Sequence, residues 1–198
     1  MKAILCKEYG PAEKLVIEEV PSPEVKGRGV KVRVKAAGLN FPDTLIIENK
    51  YQLKPSLPFS PGGEMAGEVI EVGDKVTRFK VGDRVAGLTG YGAFAEEVIV
   101  PEQNLLPVPD GMSDEKAAAF TMVYGTSYYA LKQRGNLQPG ESLLVLGASG
   151  GVGLATVELG KAMGAKVIAA ASSAEKLAVA KEAGADELIN YAEEPLKD

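Results

Sequence analysis

The hydrophobic pattern of the chain changes near its middle. Up to about Pro109, short runs alternate between apolar and polar residues and are interrupted by glycine and proline. In the run VKVRVKAAG the valines lie on one face and Lys31, Arg33 and Lys35 on the other, which is the period of a half-buried strand. The runs AGEVIEVG, VGDRVAGL and GAFAEEVIVP repeat this pattern. Short, evenly spaced strands predict a closed or sandwich-like β domain.

After Pro109 the pattern predicts helices that alternate with strands. Ser113, followed by two acidic residues, predicts a helix start, and a second helix is predicted over SYYALKQRG, ending near Gly135. The strand SLLVLG, the helix GGVGLATVELGKAMG, the strand AKVIAA, the helix SAEKLAVAKEAG and the short strand ELIN follow. This order is typical of parallel β-α-β units with right-handed crossovers, and the change of pattern falls within residues 110–125.

Composition narrows the class of protein. The chain has 198 residues, of which 45% are hydrophobic and 25% charged, as in a soluble globular protein of one large or two modest domains. Its net charge of −5 disfavours nucleic acid and anionic membranes as partners. The sequence lacks an apolar run of the roughly 18 residues that a membrane span needs, and MKAILCKEYG turns polar too early for a signal peptide. We therefore expect a cytoplasmic location.

The nucleophile and metal-ligand inventory is small. Cys6 is the only cysteine, and the chain contains no histidine. Zinc sites require several thiolates or imidazoles, and Ser-His-Asp and Cys-His catalysis require histidine. The sequence therefore predicts no metal site and no histidine-based nucleophilic catalysis. We interpret Cys6 as a small thiol within a strand.

A glycine motif lies where the first strand of the alternating region meets its helix. In GASGGVG, the glycines at 147, 150 and 153 have the spacing GxxGxxG, with Gly151 in addition, after a strand that the pattern predicts to be buried. Glycine permits the tight turn, the approach of backbone to a pyrophosphate and close packing of helix on strand. The helix N-terminus favours the phosphates. The motif therefore predicts a dinucleotide site.

The segment after the second strand bears on the choice of dinucleotide. An NAD site usually has an acidic residue there, whereas this chain has AAASSAEK. Ala171, Ser172 and Ser173 occupy the turn, and Lys176 follows one helical turn later, where it can meet a 2′-phosphate. This favours NADPH over NADH. Glu175 is three residues after Ser172, so we expect it to form a capping box and to point away from the ribose. The alternative for Lys176 is an ordinary solvated helix lysine.

Together these motifs resemble the medium-chain dehydrogenase/reductase superfamily, in particular its zinc-free, ζ-crystallin-like NADPH:quinone oxidoreductase branch. The resemblance covers the whole chain and rests on AAGLNFPDTL, PGGEMAGEVIEVG, VGDRVAGL, YGTSYYAL, GASGGVG and GADELINY, in that order. It implies a GroES-like β-barrel domain over residues 1–115. It also implies the first half of a Rossmann nucleotide-binding domain, of β-α-β-α-β order, over residues 116–198. The full-length protein is expected to be a homodimer.

The resemblance also assigns candidate site residues. The substrate end of the cleft would hold Asn40, Asp43 and Tyr51; the nicotinamide would lie beside Tyr124, Gly125 and Thr126; the pyrophosphate would lie at Gly147, Gly150, Gly151, Val152 and Gly153; the 2′-phosphate would lie at Ser172, Lys176 and Tyr191. Each has a structural alternative: Asn40 as a turn residue, Asp43 as a helix cap and the tyrosines as packing residues. No general acid is assigned.

Zinc-dependent members of the superfamily have a cysteine and a histidine where this chain has Asn40 and Gly63. Without a Lewis acid, the implied reaction is hydride transfer from NADPH to a quinone or related conjugated carbonyl. Two alternatives stay open: an acyl-thioester double-bond reductase and a non-catalytic NADPH-binding module. Family members are longer than 198 residues, so this chain is expected to be either a fragment of a longer protein or a naturally shortened chain with altered function. We favour a fragment, which would lack the second half of the nucleotide fold and with it the family's activity.

Overall fold

The computed structural model describes residues 1–193, so the last residues of the predicted second domain, 194–198, lie outside the description. Backbone contacts divide the chain into two compact units. The first is Met1–Met122, and the second begins at Val123. This division falls within the stretch in which the sequence pattern changes.

The first unit is mainly β-sheet. Its strands are β1 (Lys2–Leu5), β2 (Val16–Glu19), β3 (Gly29–Gly38), β4 (Glu64–Val72), β5 (Arg84–Leu88), β6 (Glu97–Pro101) and β7 (Leu105–Pro107). Its helices are α1 (Phe41–Ile47) and α2 (Asp114–Ala118), and single 3-10 turns cover Ala12–Lys14 and Glu102–Asn104. The Ser113 hydroxyl accepts a hydrogen bond from the Lys116 N–H at 3.3 Å, which confirms the predicted start of α2.

Five of these strands form an antiparallel sheet in the order β6-β3-β4-β5-β7. β1 and β2 pair separately, and the isolated bridges Ala3–Ala95 and Cys6–Phe59 join β1 and the residue after it to the rest of the unit. The core of the sheet is contributed by alternate strand positions. Its buried members are Val30, Val32, Met65, Val69, Val85, Ala93, Val98, Val100 and Leu105. Cys6 is buried in a smaller cluster, as expected of a structural thiol.

The polar face predicted for β3 is only partly exposed. Arg33 and Lys35 are exposed, but Lys31 is buried, with only 9% of its surface exposed, contrary to the prediction. β3 is a central strand, and Lys31 pairs directly with Glu71 of β4, whose carboxylate lies 2.6 Å from the ammonium. A bulge between Lys31 and Val32 interrupts the alternation at this point. The neighbouring strand therefore supplies both the cover and the counter-charge.

The second region has the predicted alternation of helix and strand. Helix α3 (Thr121–Tyr128) leads into a π-helical segment, Tyr129–Arg134, which ends at Gly135 as predicted. The elements that follow are β8 (Ser142–Leu146), α4 (Gly151–Ala162), β9 (Lys166–Ala171), α5 (Ala174–Glu182) and β10 (Glu187–Asn190). The three strands are parallel, in the order β10-β9-β8. This confirms the β-α-β-α-β prediction.

The core of this unit lies on one face of the parallel sheet. Val145 of β8 and Val167 of β9 pack with Val157 of α4 and with Ala180 of α5. Alternate residues of β8 point the other way, and Leu144 and Leu146 are 49% and 62% exposed. The prediction of a fully buried strand before the glycines was therefore wrong for these two leucines, because in the described structure the clustered helices cover the opposite face.

Within residues 1–193, none of the helices is both long enough and apolar enough to cross a membrane.

Candidate functional site

The glycine turn joins β8 to α4 and has the geometry of a phosphate-binding turn. Gly147 has a φ of +63°, a conformation that side chains other than glycine rarely adopt. Gly150 is the N-cap of α4, so the N–H groups of the first helical turn follow directly after it. A helix N-terminus with this backbone approach is suited to hold a pyrophosphate.

Close packing explains Gly153. A Cβ atom built at Gly153 would lie 2.4 Å from the Gly147 carbonyl oxygen, a contact that no side chain tolerates. At Gly150 the same atom would lie 3.5 Å from that oxygen, which is an ordinary contact. At Gly151 it would lie 3.1 Å from Val123 Cγ1 of α3. Gly153 therefore permits the turn to fold back on itself, whereas Gly150 leaves open space beside the helix start.

The end of β9 brings Ser172 and Lys176 together. The Lys176 ammonium donates to the Ser172 hydroxyl at 2.9 Å. The N-cap of α5 is Ser173, which accepts from the Lys176 N–H at 3.4 Å, so the prediction that Ser172 caps this helix in a capping box with Glu175 was wrong. The Glu175 carboxylate accepts hydrogen bonds from its own backbone N–H and from the Ser173 hydroxyl, and these bonds lower the pKa of the carboxyl. Because Ser173 caps the helix, Ser172 is available to the lysine.

Tyr191 belongs to the same edge of the sheet. It follows β10, its side chain is 40% exposed, and its backbone N–H donates to the Ala171 carbonyl at 3.1 Å. Ala171 is the last residue of β9 and precedes Ser172. The fold thus brings Ser172, Lys176 and Tyr191, three residues predicted around a 2′-phosphate, to the carboxyl ends of two neighbouring parallel strands.

Helix α3 carries the residues predicted beside a nicotinamide. The Tyr124 hydroxyl donates to the Glu158 carboxylate of α4, and this hydrogen bond raises the pKa of the phenol. Gly125 and Thr126 are exposed on the same helix. These positions stay predictions as cofactor contacts.

Sequence reasoning missed two hydroxyl residues that hold α3 against α4. Ser127 is buried, with 1% of its surface exposed, and its hydroxyl oxygen lies 3.0 Å from the Thr156 hydroxyl oxygen. Both hydroxyls approach the Val152 carbonyl oxygen, at 3.0 and 2.7 Å. The only sequence signal was a small polar residue on the inner side of a helix. The pair fixes α3 at the first turn of α4, where the glycines lie.

The first unit contains a separate cavity of about 230 Å³. Its lining is Pro42, Asp43, Ile46, Tyr51, Gln52, Leu53, Gly63, Gly90 and Met122. The structure therefore brings the predicted residues Asp43 and Tyr51 to one cavity. Asn40 is not part of the lining; it is the N-cap of α1.

Asp43 ties this cavity to the turn before α1. Its carboxylate accepts from the Asn40 N–H at 2.8 Å, and its own N–H donates to the Asn40 carbonyl at 2.9 Å. Burial raises the pKa of Asp43, against the lowering effect of N–H donors from Asn40, Gly63 and Gly62. The capping role considered for Asp43 is thus present in the structure, and Asp43 also faces the cavity.

Glu64 is the largest omission from the sequence-based site. It is 1% exposed, and its carboxylate accepts from the Met122 N–H at 2.7 Å and from the Asn40 side-chain amide at 3.1 Å. It also accepts from the Thr121 N–H, so it caps the start of α3. Burial raises the pKa of Glu64, and the charge of Asp43 adds to the effect. The available signal was a lone glutamate at the start of an apolar strand.

Each of the two regions of the chain matches a known protein family. The alcohol dehydrogenase GroES-like domain family matches residues 26–110, and the zinc-binding dehydrogenase family matches residues 151–198. The quinone oxidoreductase-like protein 2 homolog of Nematostella vectensis is 46% identical over 200 residues, covering 100% of this chain and 54% of its own length. The chain belongs to the medium-chain dehydrogenase/reductase superfamily, in its quinone oxidoreductase branch.

Solved structures of this branch superpose closely on the chain. The quinone oxidoreductase of Escherichia coli, solved in complex with NADPH, has a TM-score of 0.93 at 36% identity over 99% of this chain and 60% of its own. The quinone oxidoreductase of Pseudomonas syringae pv. tomato has a TM-score of 0.92 at 44% identity over 98% and 60%. The predicted GroES-like and Rossmann-like architecture is confirmed. The chain spans only about half to three fifths of the length of these relatives.

The zinc implied by one family description does not fit the side chains of this chain. The whole sequence has one cysteine and no histidine. Cys6 is buried, and its thiol lies 3.3 Å from the Glu8 carbonyl oxygen. Across residues 1–193, the structure contains no group of three or more His, Cys, Asp or Glu side chains that could hold a metal ion.

Proposed function

We propose that the protein is a zinc-independent, NADPH-dependent oxidoreductase that transfers hydride to quinones or related conjugated carbonyls. The observation that carries the proposal is the arrangement at one edge of the parallel sheet, where a glycine turn at the start of α4 lies one strand away from the Lys176–Ser172 pair. A site for NADPH needs both features: N–H donors for the pyrophosphate and a cation for the 2′-phosphate.

The residues fit the cofactor part by part. The glycine turn and the first turn of α4 would hold the pyrophosphate. Ser172, Lys176 and Tyr191 would hold the 2′-phosphate, and Tyr124 and Thr126 on α3 would lie beside the nicotinamide. Bound NADPH supplies the hydride. The complex of the Escherichia coli quinone oxidoreductase with NADPH, at 36% identity, supports the choice of cofactor.

The cavity of the first unit supports the choice of acceptor. Its largely apolar lining and the Tyr51 ring suit a flat conjugated molecule, and among residues 1–193 no Lys or Arg side chain lines it. A conjugated acceptor is electrophilic without a Lewis acid, so the protein needs only to position it and to exclude water. The reduced, anionic product takes its proton from water. The absence of basic lining residues gives no support to the acyl-CoA alternative.

The cofactor proposal is tested by calorimetric titration of the 198-residue chain with NADPH and, separately, with NADH. We expect NADPH to bind at least about tenfold more tightly, a difference of roughly 1.4 kcal/mol. Lys176→Ala should remove most of this preference. The control is Lys181→Ala on the same helix, where the Lys181 ammonium donates to the Ala185 carbonyl, and this variant should keep the preference. Equal binding of the two cofactors by a folded sample would contradict the proposal.

Turnover tests the acceptor. The protein in its full length should oxidise NADPH with a small quinone faster than with crotonyl-CoA. The reverse preference would favour the acyl-thioester reductase, and NADPH binding without turnover of any acceptor would favour the non-catalytic module. The homodimer stays a prediction from the resemblance, and the cytoplasmic location stays a prediction from the sequence.

A further inference from the structure

Two adjacent glycines at the cavity have different structural requirements. Gly62 has a φ of +96°, and a Cβ atom there would lie 2.7 Å from the Phe94 backbone nitrogen. Any side chain at position 62 would therefore strain the backbone and clash. Gly63 has neither constraint, because its φ lies outside the left-handed region and a Cβ atom would meet neighbours only at ordinary contact distances.

The direction of the missing side chain at position 63 is defined by those neighbours. A Cβ atom would lie 3.6 Å from both Asp43 Oδ1 and the Gly90 carbonyl oxygen, and 3.8 Å from Met122 Cε. All three neighbours line the same cavity as Gly63. A side chain at this position would therefore grow into the cavity and not into the packed sheet.

The backbone at Gly63 is held without a side chain. Its N–H donates to the Asp43 carboxylate, and its carbonyl accepts from the Thr89 N–H at 2.9 Å. Glycine loses more conformational freedom on folding than alanine does, so a glycine that the backbone does not require lowers stability. What Gly63 contributes in return is open space in the cavity.

We propose that Gly63 is a specificity-determining residue that sets the upper size of the acceptor, admitting a two-ring quinone where a larger residue would admit only a single ring. The proposal rests on the proposed function for the assignment of this cavity to the acceptor. The cavity, at about 230 Å³, is smaller than the roughly 300–1,000 Å³ of drug-sized ligand sites, so even a few added carbons change what it can hold.

The test compares Gly63→Ala and Gly63→Val with the parent protein, using 1,4-benzoquinone as the one-ring probe and menadione as the two-ring probe. Binding is measured by ligand-observed NMR on protein loaded with NADP⁺, and turnover is measured separately. Gly63→Val should weaken menadione binding about tenfold or more, as expected for overpacking, and change benzoquinone binding less than about twofold. Gly63→Ala should show a smaller effect in the same direction and an unchanged or raised Tm.

The control is Gly10→Ala in the same unit, whose added methyl group would meet only the flexible Lys14 side chain. It should change binding of neither quinone. Equal weakening of both quinones by Gly63→Val, no change in either, or failure of the parent to bind menadione would overturn the inference. Selective binding without NADPH oxidation would leave the role of Gly63 intact and would reject the proposed function, so the two failures are distinguishable.

Discussion

The glycine turn of the second unit and the cavity of the first unit are built in different ways. The turn is local: Gly147, Gly150 and Gly153 contact each other within one strand-to-helix connection. The cavity is lined by residues from distant parts of the chain, and one of them, Met122, donates its backbone N–H to Glu64, 58 residues away. A local site is visible as a motif in the sequence, whereas a site assembled from distant segments depends on the folded sheet.

The two regions also differ in the charges that they bury. Among the described residues, the buried carboxylates Asp43, Glu64 and Glu102 all lie in the first unit, and the buried polar side chain of the second unit is Ser127. Glu102 accepts from the Thr77 and Arg78 N–H groups at 2.9 and 3.0 Å. Glu64 and Glu102 accept from N–H groups of distant segments, whereas Asp43 caps its own helix, so the first unit should be more sensitive to single polar substitutions.

The largest expected effect is that of Glu64→Ala. Truncation leaves the partly buried Met122 N–H and Asn40 amide without the acceptor that Glu64, itself buried, provides, and we expect a loss of about 2–4 kcal/mol in the free energy of unfolding. Glu68→Ala is the matched control on the same strand, where an exposed pair with Arg33 at 3.9 Å should contribute less than about 1 kcal/mol. Urea denaturation measures both. Similar losses for the two variants would mean that the non-local cap does not stabilise the first unit.

The next effect tests whether the turn of the second unit depends on its local packing. Gly153→Ala places a methyl group against the Gly147 carbonyl oxygen, and we expect it to cost about 1–3 kcal/mol of stability and to weaken NADPH binding. Gly150→Ala has room for its methyl group, so thermal unfolding should change little while NADPH binding falls. If both variants unfolded alike, close packing would not be the reason for the glycine at 153.

The smallest effect concerns pH. Burial raises the pKa of Glu64, so the folded state keeps a proton at pH values at which the unfolded chain has lost it. The stabilisation from this proton is complete below the ordinary glutamate pKa and declines as pH rises through the higher pKa of the folded state. Glu64→Gln cannot titrate. Its unfolding free energy should therefore gain on that of the parent as pH rises above the ordinary glutamate pKa.

Urea denaturation of the two proteins at several pH values measures this difference. Asp43 shifts in the same direction, but it titrates in both proteins and so largely cancels in the comparison. Parallel stability curves would show that Glu64 has the same pKa in the folded and unfolded states.

The sequence by itself determined the order of the elements and the glycine turn, since each depends on residues close in the chain or on the strand period. Only the tertiary structure showed that Lys31 is covered by Glu71, that Glu64 caps α3 and that Gly63 opens the cavity. It also showed that Leu144 and Leu146 are exposed. The physical reason is that burial and non-local hydrogen bonds are set by neighbouring strands and helices, which no short stretch of sequence encodes.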